Sequence, residues 1–134
     1  MTVQLNAETD VEIILRMADL IEKGSQGRQQ ATGYYWKDDG SVCAIGAALL
    51  GNGTPFRSSL VHLPMDFGVK TWPLVTYPSG EDAYANWMLV QEQCPLIDAI
   101  MSLNDRAGWD FAHIVQWLRD TAARMETPQM LENA

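Results

Sequence analysis

The sequence predicts a mainly α-helical fold with minor β structure: a compact single-domain helical bundle with a short β-hairpin and an irregular central insertion. Three observations point there. Residues 10–23 and 110–124 each repeat apolar side chains at helical spacing. Between them lies Ser41-Val42-Cys43-Ala44-Ile45-Gly46-Ala47-Ala48-Leu49-Leu50, a small-residue apolar run suited to a central helix that neighbouring backbones approach closely. Residues 54–78 carry prolines at 55, 64, 73 and 78 together with Gly68, too much punctuation for a long helix.

The composition fits this class. A chain of 134 residues suits one domain, taken as 1–126 with a flexible C-terminal tail over 127–134, and 47% hydrophobic content with five Trp excludes a disordered chain. No apolar run reaches the length of a membrane span, and Met1-Thr2-Val3-Gln4-Leu5 lacks the pattern of a signal peptide, so a cytosolic protein is expected. Cys43 and Cys94 should stay reduced there, and without a Cys-x-x-Cys or a spaced His pair neither a metal nor a cofactor is expected.

The net charge of −8 is unevenly spread. Residues 1–23 carry five acids against two bases and 81–134 nine against three, while 24–80 carry three against four. Such a surface repels phosphate backbones and membranes of like charge, and it steers towards a protein partner with a basic surface. Its plainer use is to keep the chain soluble.

Taken in order, Thr9-Asp10-Val11-Glu12 has the form of a capping box, and Gly24 is expected to supply a left-handed stop for the first helix. Val11, Ile14, Leu15, Ala18 and Ile21 give its stripe, widened by Ile13, Met17 and Leu20. Residues 24–33 read as a surface loop. Tyr34-Tyr35-Trp36-Lys37 and Ser41-Val42 then flank Asp38-Asp39-Gly40, where Asp-Gly signals a two-residue hairpin turn. The central helix should run over 43–50, with Ser41 or Val42 near its N-cap and Gly51-Asn52-Gly53 ending it.

In the insertion, 58–62 would make one turn, and 67–72 and 74–77 two edge strands. A helix is expected from Ser79-Gly80-Glu81-Asp82, carrying Tyr84, Trp87 and Met88, until Cys94-Pro95 breaks it. A shorter one over 96–103 buries Leu96, Ile97, Ile100, Met101 and Leu103, and Asn104-Asp105-Arg106-Ala107-Gly108 forms the turn after it. The last helix presents Phe111, Ile114, Val115, Leu118 and Ala122 inward, with Asp110, Gln116, Arg119, Asp120 and Arg124 outward.

Three sets of residues are candidates for function. Cys43, at a helix start where free amides favour a thiolate, would be the nucleophile of an acyl-transfer site with His113 as base and Asp105 or Asn104 as orienting group; His62 is the other histidine. Equally, a cysteine among alanines is a small buried hydrophobe. Asn104, Asp105 and Arg106 would form a polar cluster at a pocket mouth near Cys43, or else a helix end with Asn104 left-handed and Asp105 capping the turn or the next helix. Among Tyr34, Tyr35, Trp36, Trp72, Tyr77, Trp87 and Trp109, the loop-flanked Trp36 and Trp72 are the expected exposed binding residues.

Gln26-Gly27, Cys43-Ala44-Ile45-Gly46-Ala47-Ala48-Leu49, and Leu103-Asn104-Asp105-Arg106 with Trp109-x-Phe111-x-x-Ile114 after it resemble a loosely defined group of small bacterial and phage proteins of unknown function. That group shows a Gln-Gly, a Cys-Ala-x-Gly-Ala-Leu and a distal Asn-Asp before its final helix. The resemblance spans the first helix to the last, apart from residues 54–78. It implies a compact helical domain and a phage or prophage setting, with no activity to carry over. Small size, acidic surface, abundant Tyr and Trp and an incomplete catalytic set favour a binding protein that occupies a host protein or complex, such as a bacterial defence system. A thiol-dependent hydrolase or transferase using Cys43, and a binder of a nucleotide or metabolite, are the alternatives.

Overall fold

A computed structural model describes residues 8–54, 67–81 and 93–132. Four helices and one two-stranded sheet are found there: α1 (Asp10–Gly24), α2 (Ala44–Gly51), β1 (Leu74–Thr76), β2 (Gln93–Pro95), α3 (Leu96–Asp105) and α4 (Phe111–Glu132). The mainly α fold with minor β structure is the predicted one. The turn at 58–62, His62, and the helix carrying Tyr84, Trp87 and Met88 fall outside the described residues.

Helix α1 begins as its capping box dictates, with Thr9 Oγ1 accepting from Glu12 N at 3.1 Å and Glu12 Oε1 accepting from Thr9 N at 3.0 Å. Ile13, Ile14, Met17, Ala18 and Ile21 are its buried face, whereas Leu15, expected in the stripe, points outward. Its end corrects the sequence reading. Gly24 is helical, Ser25 is the cap in a right-handed conformation, and the left-handed glycine is Gly27 with φ 69°. A glycine is needed at 24 for a different reason: a Cβ there would strike the Ala47 carbonyl of α2 and come within 2.8 Å of Gly51 N.

Helix α2 is buried along its length except at Leu50, as an eight-residue element apolar on every side must be. Gly51 faces α1 in turn, where a Cβ would strike the Leu20 backbone, and Gly46 lies against Tyr35 and Trp36. The two helices thus touch through their backbones. Helix α4 lies along α1 rather than on α2, burying Ile114, Val115, Trp117, Leu118 and Ala122. Its backbone stays helical to Glu132, past Pro128 and the expected boundary at 126.

The extended parts are short. Val42 bridges Trp36 in antiparallel sense and Gln30 in parallel sense, which gives a three-segment β patch where a hairpin and a plain loop were expected. The hairpin turn centres on Asp38-Asp39: Gly40 N donates to Lys37 O at 2.9 Å, and only then comes Gly40 with φ 91°. That is a three-residue connection rather than the expected two-residue Asp-Gly turn. β1 and β2 pair antiparallel, Val75 opposite Cys94. Residues 67–72 are not a strand; Phe67 packs edge-on against Trp72 at 6.0 Å, and Arg16 holds Phe67 O at 2.7 Å from α1.

Candidate functional site

The polar centre of the molecule is Asn104, in the last turn of α3 and 1% exposed. Its Oδ1 accepts from Gln30 Nε2 at 2.7 Å and from Ala44 N at 3.0 Å. Its Nδ2 donates to Ala31 O at 2.9 Å and to Asp105 Oδ1 at 2.7 Å. Two bonds accepted and two donated are the whole capacity of a carboxamide. The side chain is therefore spent on the fold, and Asn104 does not front a pocket.

Chain geometry explains this convergence. The parallel bridge of 29–31 with Val42, carried by Ala31 N to Val42 O at 2.8 Å and Val42 N to Gln29 O at 3.0 Å, lays Gln30 beside the start of α2. Gln30 then reaches past Asn104 to Trp109 O at 2.7 Å. Asp105 Oδ1 also accepts from Gly33 N at 3.0 Å. The expected left-handed Asn104 is corrected: both residues remain helical, Arg106 is the right-handed cap, and Gly108 with φ 72° makes the turn. Arg106 is exposed beyond the helix end, its N–H bonded to Ser102 O at 2.8 Å.

Cys43 adjoins this centre as the N-cap of α2, a place expected for Ser41 or Val42. Its Sγ accepts from Gly46 N at 3.4 Å, and its own N–H goes to Tyr35 O at 3.1 Å. Burial pushes the thiol up to about 11, helped by the nearby Asp105 charge and opposed by the Gly46 N–H bond. Desolvation thus outweighs the helix amides that would favour a thiolate. Tyr35 is also shifted up, chiefly by burial and then by the neighbouring Cys43 and Asp105. His113 stands elsewhere. It is exposed on the first turn of α4, and its ring stacks on Trp109 at 3.6 Å with the planes 6° apart.

The structure thus joins Asn104, Asp105 and the start of α2 and sets His113 apart on the Trp109 face. Trp109 is itself clamped, with Nε1 donating to Glu81 Oε1 at 2.7 Å and its ring edge-on to Trp117 at 6.4 Å. Trp36, expected at the surface, is 3% exposed and donates from Nε1 to Gly46 O at 3.2 Å, so it belongs to the core. A ring beside a glycine carbonyl of the central helix is buried by that helix, whatever turn flanks it in sequence. Trp72 is partly buried on the core.

No family model matches the chain, and no curated protein or solved structure matches it either.

Two grooves open on either side of the Gln26-Gly27 turn. One, about 550 Å³, is lined by residues 26–29 and 39–41 and carries no apolar side chain. Arg28 bridges it to Gly40 O at 3.1 Å, and Ser41 holds the Asp39 carboxylate through both Oγ and N, lowering its pKa. The other, about 350 Å³, lies between the end of α1 and the start of α4. Among the described residues no group of three or more His, Cys, Asp or Glu is arranged to hold a metal, and no helix is long and apolar enough to cross a membrane. Sequence reasoning missed Gln30, Tyr35 as a neighbour of the thiol, and the Trp109 clamp. None has a local signal, because each acquires its partner from more than five residues away.

Proposed function

We propose that this chain is a small acidic binding protein that acts by occupying a protein partner with a basic surface. The observation that carries the reading is the state of Cys43: 5% exposed, used as a helix cap, with its thiol pKa at about 11. A thiol in that state supplies almost no nucleophile at neutral pH, which leaves the net charge of −8 as the leading chemical property of the chain. The resemblance to small phage and bacterial proteins supports a host protein or complex, such as a defence system in the bacterial cytosol, as that partner. In this reading, immobilised protein retains a basic partner at low salt, with affinity that falls as salt rises. Absence of any retained protein, or affinity indifferent to salt, overturns it.

The wholly polar 550 Å³ groove favours a second reading, a binder of a small polar metabolite or nucleotide. A thermal-shift panel tests it, since a ligand at 100 times its dissociation constant stabilises the fold by about 2.7 kcal/mol. The thiol-enzyme reading requires Cys43 in the folded protein to alkylate at pH 7 faster than Cys94; equal slow labelling excludes it.

A further inference from the structure

We infer that the cleft between the end of α1 and the start of α4 is the docking site for a lysine- or arginine-bearing peptide segment of the partner, an inference that rests on the acidic-binder reading above. The cleft of about 350 Å³ has an apolar floor of Phe111, Ala112 and Val115 and a polar rim of Glu22, Gln26 and Arg119. Charge on the two helix segments that form it is unbalanced. Asp19, Glu22, Asp110 and Asp120 stand against Lys23 and Arg119, four acids to two bases. Arg119 is already committed in this chain, its guanidinium reaching Asp19 at 3.1 Å and Glu22 at 3.0 Å. That pairing fixes both carboxylates at the rim and holds Glu22 ionised, its pKa lowered by the Arg119 hydrogen bonds.

An apolar floor beneath a carboxylate rim matches the two halves of a lysine or arginine side chain. The aliphatic stem lies on Phe111, Ala112 and Val115, and the cationic head meets Glu22 and Asp19 from the side opposite Arg119. A purely acidic ligand finds no such match, because the single rim cation is shared by two carboxylates. The Gln26 side-chain amide, folded back onto Glu22 O at 3.0 Å, leaves its own carbonyl oxygen at the rim for a backbone or ammonium donor. Few charges are involved, so the contact is a local anchor within a broader electrostatic approach.

The test separates floor, rim and general charge. A fluorescein-labelled peptide of alternating lysine and alanine is titrated with the whole chain at low salt and followed by anisotropy, with a glutamate-alanine peptide as control. Ala112→Leu changes no charge and fills the exposed floor with a good helix former; it should weaken lysine-peptide binding about fivefold, and Ala112→Arg about tenfold or more. Asp38→Asn, on the hairpin and equal to Ala112→Arg in charge change, should weaken it by less than about twofold. Helical circular dichroism and unchanged melting of each variant exclude loss of fold. Full binding in Ala112→Leu, or equal losses in Ala112→Arg and Asp38→Asn, overturns the cleft assignment and leaves the acidic-binder reading intact. No binding of the lysine peptide by the unaltered chain overturns the cleft assignment as well, whereas the acidic-binder reading falls only with the partner-capture experiment.

Discussion

Helix α2 is fixed by opposite means at its two ends. Along its C-terminal half it meets α1 backbone against backbone, through Gly24 and Gly51, with no room for a single added carbon. At its N-terminus it is held by one amide, Asn104, whose oxygen takes Ala44 N while its nitrogen ties down Ala31. The first contact fails if an atom is added; the second fails if an atom is removed. Packing and polar satisfaction are thus divided along one short helix, and the surface features used for binding lie outside both.

The polar end should be the costlier to break. Asn104→Ala leaves the Ala44 N–H, the Ala31 carbonyl and the Gln30 amide without their partner in a buried setting. Each orphaned group costs roughly 1–3 kcal/mol, so a loss of about 4 kcal/mol in urea unfolding is expected. A loss under about 1 kcal/mol would mean that water reaches the site and that the hub is not a structural lock.

Gly24→Ala tests the apolar end with an opposed expectation. Helix propensity alone predicts a gain of up to about 1 kcal/mol for replacing a helical glycine by alanine. The structure predicts a loss of about 3 kcal/mol, since the new methyl meets the Ala47 carbonyl, which is backbone and yields only if α2 moves. The sign of the change decides whether the two helices really touch at their backbones.

The same division explains what the sequence revealed. α1, α3 and α4 follow from stripes of apolar residues and from the Thr9–Glu12 box, all signals within one element. The glycines and alanines of 43–51 announced a close-packed helix, though not that Gly24 served the same contact rather than a turn. Asn104 and Asp105 were visible as polar residues at a junction, and their nearness to the start of α2 was expected. Their helical conformation was not, because Asn and Asp favour turns unless tertiary partners hold them in a helix, and those partners, Gln30, Ala31 and Gly33, lie over 70 positions away. Trp36 was misplaced for a like reason: burial by Gly46 is a tertiary fact.

Cys43 lies between the two ends and gives a pH signature. Its thiol pKa rises from 9.0 unfolded to about 11 folded. The folded protein thus keeps a proton that the unfolded chain releases, so the thiol's contribution is complete below pH 9 and is lost as pH climbs towards 11. Two pKa units correspond to about 2.7 kcal/mol. Tyr35 is also shifted up from 10.0 and titrates nearby, so the comparison is with Cys43→Ala. That variant should lose about 1 kcal/mol at pH 7 with its cap and decline less steeply above pH 9 than the unaltered chain. Parallel curves would mean that the thiol is solvated.

Whether the two ends act independently is the finest question, and its expected effect is the smallest. Ala44, held by Asn104, and Ala47, pressed by Gly24, are one turn apart on α2. An eight-residue helix buried on nearly every side moves as a unit, so a methyl at 24 that pushes α2 aside also stretches the hub's bond to Ala44. Gln30→Ala weakens the hub without emptying it, since Asn104 keeps Ala31, Ala44 and Asp105. In the Gly24→Ala background its cost should therefore shrink, giving a coupling energy of about 1 kcal/mol in a double-mutant cycle. Strict additivity, within about 0.3–0.5 kcal/mol, would show that α2 bends between Ala44 and Ala47 and that the glycine contact and the amide hub are separate locks.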